Sequence, residues 1–184
     1  PTTTITGLAA NTAYDFYVKS DCGGGDMSIW STKASARTAC NAVTIPYSEN
    51  FDNMGSGSGV LPSCWSGKND YSTTTLYPYI NTSYHYSGNA SLYFYCSTST
   101  YNIAVLPFVD VTANPINTLQ LSFMMRSTSS TTSTITVGVM TNPLDETSFT
   151  PITTVNNTTT GTFEPKEVSL SSYTGQGAYV ALKL

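Results

Sequence analysis

The chain has 184 residues, of which only 10% are charged and 40% are hydrophobic, with 13 Tyr and 7 Phe. Charge that far below the roughly 25% of an ordinary globular protein excludes a large helical enzyme with a Lys/Glu/Arg surface, and the apolar content excludes disorder. A net charge of −4, with 7 Lys+Arg and no two of them adjacent, leaves no cationic footprint for nucleic acid, and no apolar run is long enough to span a membrane as a helix.

Thr, Tyr, Val and Phe suit a pleated, half-buried surface, so the composition predicts strands. Residues 1–40 read as a first unit, beginning at Pro1-Thr2-Thr3 in what looks like mid-domain sequence of a longer polypeptide. In "AYDFYVKSDC", Tyr14, Phe16 and Val18 alternate with Asp15, Tyr17 and Lys19, the period of a strand with one buried face. Gly23-Gly24-Gly25-Asp26 reads as a turn and "SIWSTKASARTAC" as a further strand.

Residues 41–184 read as the main unit, opening at Ile45-Pro46-Tyr47 and passing through a Gly/Ser loop to Trp65. Period two places Leu92, Phe94 and Cys96 on one strand face, Leu119, Leu121, Phe123 and Met125 on another, and Ile135, Val137 and Val139 on a third. "FTPITTV" carries Pro151 and reads as an edge strand or a strand start. "EVSLSSY" and "AYVALKL" complete the set, and no segment shows sustained helical periodicity. Short strands between turns predict an all-β chain, a β-sandwich or jelly roll.

The first unit resembles the last three strands of a fibronectin type III domain, on Leu8, Asn11 to Val18, Trp30-Ser31 and Thr38-Ala39-Cys40. The resemblance implies a tyrosine corner in which the Tyr14 hydroxyl returns to the backbone near Leu8. The second unit resembles the cleaved-adhesin and MAM-like jelly-roll modules of secreted Bacteroidetes proteins. Its matching residues are Phe51-Asp52, Leu61 to Trp65, Tyr84 to Leu92, Leu106-Pro107-Phe108, Val137 to Pro143 with Phe149, and Tyr173 to Ala181. Such modules carry a further Asp-containing strand, expected beyond Leu184.

The four cysteines lack the C-x-x-C spacing of compact zinc sites, and with this composition they point to an oxidising, secreted or cell-surface setting. Within these modules, Cys22 is expected to pair with Cys40 and Cys64 with Cys96, although Cys96 also fits a free buried thiol. Asn81, Asn89, Asn156 and Asn157 stand in N-x-S/T triplets.

Chemistry-bearing groups are sparse. His85 is the sole histidine, and no local motif makes it a base for a Ser or Cys nucleophile. "GSGSG" at 55–59 has Gly57 where a nucleophile elbow needs its Ser, and it lacks a phosphate loop's Lys. Asp145, Glu146, Glu164 and Glu167 read as surface carboxylates, the last two on opposite faces of one strand. Glu49, Asn50, Asp52 and Asn53, with Asp70, offer oxygens for a structural Ca²⁺, with Glu49, Asp52 and Asp70 as the metal candidates. Tyr71, Tyr77, Tyr79, Tyr84 and Tyr86, with Trp65 before them, supply flat rings that suit sugars. Trp65 also fits as a plug at one end of the sandwich. The expected function is a non-catalytic extracellular adhesion or carbohydrate/protein-binding module of a larger secreted protein. Its partners would be glycans, extracellular proteins or neighbouring domains. The alternative is a structural spacer attached to a secreted peptidase or glycosidase.

Overall fold

The structure, a computed structural model, describes residues 2–52, 54–70, 74–97, 100–128 and 133–184. It is all-β, with two short 3-10 turns, and divides into two compact units, Pro1–Asn41 and Ala42–Leu184.

In the first unit β1 (Ala13–Phe16) pairs antiparallel with β4 (Ala34–Arg37), while β2 (Asp21–Gly23) and β3 (Asp26–Met27) form a small hairpin. Gly24 and Gly25 take φ of 65° and 89° at its tip, as tight hairpin turns demand of both central residues. The Tyr14 hydroxyl accepts a hydrogen bond from the Ala9 N–H at 2.9 Å, next to the residue expected to anchor it. The expected buried face is shorter than its pattern. The ladder ends where Phe16 meets Ala34, and Val18 beyond it is 69% exposed.

In chain order the second unit carries β5 (Ser66–Asn69), β6 (Tyr79–Asn81), β7 (Ser91–Tyr93), β8 (Asn102–Val105), β9 (Gln120–Arg126), β10 (Thr134–Met140), β11 (Phe149–Asn156), β12 (Phe163–Ser169) and β13 (Tyr179–Lys183). An antiparallel sheet runs β11-β10-β13-β8-β5. The β9–β12 ladder forms the facing layer, and β6–β7 is a separate two-stranded ribbon. Between the layers, Ile135, Val137, Val139, Val180, Leu182 and Ala104 meet Met125 and Val168, with Leu119, Leu121 and Phe123 packed against them. The two faces expected from period two therefore share one core. Burying these side chains supplies the drive for the fold, at roughly 25 cal/mol per Å² of apolar surface.

The outer face of the five-stranded sheet is buried as well. Ile103, Val105, Met140 and Ala181 lie beneath Tyr101, Phe149 and Tyr179. This explains why β8 shows no alternation, all four of its residues being buried, and why no strand was expected there. Gly138 is required by close approach, since a Cβ at that position would meet the Phe149 ring and the Thr150 carbonyl. Pro151 lies on the edge strand, next to the register shift opposite Val137 and Gly138, where the absence of an N–H is tolerated.

Glu164 and Glu167 both lie in β12, where period two sends them to opposite faces. Glu164 is more than a surface carboxylate. It pairs with Lys166 at 2.9 Å and accepts from the Thr158 and Thr159 N–H groups. These contacts hold its carboxyl down at about 2. Asn157 beside it is fully buried, its amide donating to the Met125 and Thr162 carbonyls, so this member of the N-x-S/T triplets is structural. Asp145 remains exposed and caps Thr147, whereas one oxygen of Glu146 is buried without a partner, contrary to its expected solvation.

Candidate functional site

The β6–β7 ribbon sorts its side chains by parity. Ile80 lies opposite Leu92; Ile80 is fully buried and Leu92 packs on the core. On the alternate parity Tyr79 pairs with Tyr93 across the ladder, their rings 5.6 Å apart and edge to face. Tyr77 and Tyr95 extend that side at one and the same end of the pair, facing each other as the antiparallel register requires. The Tyr77 ring lies 5.3 Å from Tyr79, 6.1 Å from Tyr93 and 5.5 Å from Tyr95. The result is a tyrosine platform that stays partly open to solvent, with Tyr95 44% exposed. Burial pushes the Tyr93 phenol above its ordinary value, and the charges of Tyr77, Tyr79, Tyr95 and Tyr84 add to the effect.

Asn102, fully buried in β8, fixes one end of the platform. Its Oδ1 accepts from the Tyr95 N–H at 2.8 Å, and its amide donates to the Tyr101 carbonyl at 2.9 Å. Sequence reasoning found Tyr77 and Tyr79 and missed Tyr93 and Tyr95. The signal was present, because the period that assigns Leu92 and Phe94 to the core assigns Tyr93 and Tyr95 to the other face.

Beside the ribbon a cavity of about 310 Å³ is lined by Tyr84, Tyr93, Tyr95, Arg126 and Phe163, among others. The Arg126 guanidinium lies 4.1 Å from the centre of the Tyr84 ring and 5.9 Å from that of Phe163, a cation–π arrangement. Its Nε donates to the Gly161 carbonyl at 2.8 Å, while Nη1 is buried without a hydrogen-bond partner. Tyr86, 62% exposed, meets Phe163 edge to face at 5.8 Å. Arg126 ends the "TLQLSFMMR" strand, and no sequence pattern marked it.

Trp65 follows its structural expectation. It packs against the core, meets Phe51 edge to face at 5.8 Å and donates its indole N–H to the Tyr47 hydroxyl at 2.9 Å. One indole edge also reaches a second cavity of about 270 Å³, shared with Glu49, Tyr86 and Phe163. Burial raises the Tyr47 phenol against the opposing pull of the Trp65 N–H, and the Glu49 charge raises it further. Tyr71 lies outside the described residues.

The three carboxylates expected around Ca²⁺ each bind backbone. Glu49 accepts from the Phe51 N–H at 2.7 Å, Asp52 from the Asn89 N–H at 2.7 Å, and Asp70 from the Tyr101 N–H at 2.6 Å. Asp52 sits so close to the turn at Gly88, where φ is +62°, that a Cβ there would overlap its carboxylate. The Phe51-Asp52 and Gly88-Asn89 motifs are thus two halves of one contact. Among the described residues no group of three or more His, Cys, Asp or Glu side chains is placed to hold a metal ion. Asn53 lies outside them. His85 is exposed.

Both expected disulfide pairings are overturned. Cys22 and Cys96 are free thiols, whereas Cys40 and Cys64 are disulfide-bonded. Sequence spacing carried no information on which sulfurs meet, because pairing needs Cα atoms within about 7 Å. Cys96, half-buried at the first cavity, fits the alternative of a free thiol. Burial chiefly raises its pKa, the Thr100 hydrogen bond opposes that and the Asp70 charge adds to it, so it is a poor thiolate.

No family model, no curated protein and no solved structure matches the chain.

Proposed function

We propose that the chain is a non-catalytic binding or adhesion segment of a larger extracellular protein, and that it binds glycans through the second unit. The observation that carries this reading is the four-tyrosine platform on β6–β7, adjoining the cavity that holds Arg126. Aromatic faces stack on the apolar faces of sugar rings, and neighbouring polar groups fix orientation. The scattered, backbone-bound carboxylates and the exposed His85 supply no convergent acid–base pair, which supports a binding rather than a catalytic role. We read the second unit as a jelly roll and the first as the end of a fibronectin type III domain; the Tyr14–Ala9 hydrogen bond supports the latter. The disulfide-bonded state of Cys40 and Cys64 supports a secreted or cell-surface location.

A glycan array probed with the full chain tests the reading, followed by titration of the best ligand with Tyr77→Ala and Tyr95→Ala variants. Each substitution is expected to weaken binding by about tenfold or more, in line with roughly 1–3 kcal/mol per stacked ring, with the circular dichroism spectrum unchanged. Undiminished binding by the double variant would remove the platform as the site. Failure to bind any glycan would favour the spacer role.

A further inference from the structure

We propose that the Arg126 cavity takes a carboxylate-bearing sugar unit, so that the module selects acidic glycans over neutral ones. The proposal rests on the glycan-binding reading above and names its ligand class.

Arg126 is the charged group of the cavity, and among the described residues it makes no ion pair. The ion pairs among the described residues are Lys33–Asp15 and Lys166–Glu164, neither of which involves Arg126. A guanidinium carries five N–H donors in a planar fork and stays charged at any ordinary pH. Here Gly161 takes Nε, while Nη1 has neither water access nor a partner. Withdrawing an unpaired cation from water is costly, and a carboxylate is the group that offsets the cost through two parallel hydrogen bonds. The Tyr84 ring, 4.1 Å away, holds the fork in place. Because Nη1 is covered, a carboxylate can reach it only if a wall side chain shifts.

The surroundings fit a sugar that carries such a group. The cavity, at about 310 Å³, lies at the small end of ligand pockets, which run to roughly 1,000 Å³. Tyr93, Tyr95 and Phe163 give it aromatic walls, Ser133 supplies a hydroxyl for a ring oxygen, and Ser91, whose proton goes to the Tyr84 carbonyl, can accept from a sugar hydroxyl. Tyr93 and Tyr95 also belong to the platform, so one polysaccharide chain can stack on the ribbon while placing an acidic unit at Arg126. The chain as a whole carries −4. Bulk charge therefore opposes polyanions, and any acid preference must come from a local cation.

Calorimetric titration of the full chain with polygalacturonate, its methyl ester, neutral dextran and dextran sulfate tests the proposal. The free acid is expected to bind about tenfold or more tightly than its ester. Arg126→Gln should reduce it to the level of the ester, and Arg126→Lys should restore binding only in part, because an ammonium lacks the planar fork. If Arg126→Gln fails to fold by circular dichroism, the acid-to-ester ratio on the unaltered chain decides alone. Equal affinity for acid and ester would overturn the proposal and leave glycan binding standing, and tighter binding of dextran sulfate would overturn the carboxylate assignment. No binding to any of the four would overturn the proposal and, together with a blank glycan array, the reading beneath it.

Discussion

Two faces of the second unit are built from aromatic rings, and they use them oppositely. On the outer face of the five-stranded sheet, Tyr101, Phe149 and Tyr179 lie over Ile103, Val105, Met140 and Ala181, which are almost completely removed from water. On the β6–β7 ribbon, Tyr77, Tyr79, Tyr93 and Tyr95 lie mainly against one another and remain partly open. The first arrangement spends ring area on covering aliphatic surface, which contributes to stability. The second leaves ring area for a partner. Aromatic content alone does not distinguish the two; what lies beneath the rings does.

The largest expected effect falls on the covered face. Phe149 spans Gly138 and packs on the outer cluster, so Phe149→Ala should destabilise the protein by about 2–4 kcal/mol through lost burial and a residual cavity. Chemical denaturation measures this loss. Glycan affinity, taken well below the lowered melting temperature, should not change. A loss under 1 kcal/mol, or a selective loss of glycan affinity, would dissolve the distinction between the faces.

Asn102 sits between the two regimes. It is buried in the sheet, yet its side chain holds the Tyr95 backbone of the platform. Asn102→Ala would leave the Tyr95 N–H and the Tyr101 carbonyl without that partner, at a cost of roughly 1–3 kcal/mol. Here stability and glycan affinity should fall together, in contrast to Phe149→Ala. Retained affinity in a folded Asn102→Ala variant would show that Tyr95 is positioned by its ring contacts alone.

How much of this was legible depended on parity and range. The shared core was readable because Leu121, Phe123 and Met125, like Ile135, Val137 and Val139, alternate with residues of another kind. β8 was not readable, because a strand buried on both faces has no alternation to detect. The platform was half readable: Tyr77 and Tyr79 stood out as a cluster, whereas Tyr93 and Tyr95 needed the β6–β7 register to bring them alongside. Arg126 depends on its contact with Tyr84, far back along the chain, and Asn102 on a backbone N–H seven residues away. Composition and local period do not encode such contacts. The three calcium candidates were read from local charge and the family resemblance; Glu49 accepts from a backbone N–H two residues away, whereas Asp52 and Asp70 accept from N–H groups far along the chain.

A smaller stability effect is expected on the open face. Tyr95 is 44% exposed, with its ring 5.5 Å from that of Tyr77. Tyr95→Ala should therefore cost only about 0.5–1 kcal/mol, the scale of one aromatic pair, while reducing glycan affinity. Equilibrium unfolding beside ligand titration separates the two quantities. A stability loss as large as that of Phe149→Ala would mean that the ribbon is a cover like the outer face.

The least conspicuous effect is alkaline. The Tyr93 phenol is raised above its ordinary value chiefly by burial, then by its tyrosine neighbours. A raised folded-state pKa means that the native protein holds this proton more tightly than the unfolded chain does. The associated stability is complete below the unfolded value near pH 10 and is lost as pH rises from there through the folded value. Tyrosinate absorbance should show late-titrating phenols, Tyr47 among them, and one of these should disappear in Tyr93→Phe. The same variant should flatten the decline in melting temperature above about pH 10. Ligand stacked on the platform excludes more water from the ring and should delay this titration further. An unchanged alkaline profile with saturating glycan would place the ligand away from Tyr93 and against the proposed face.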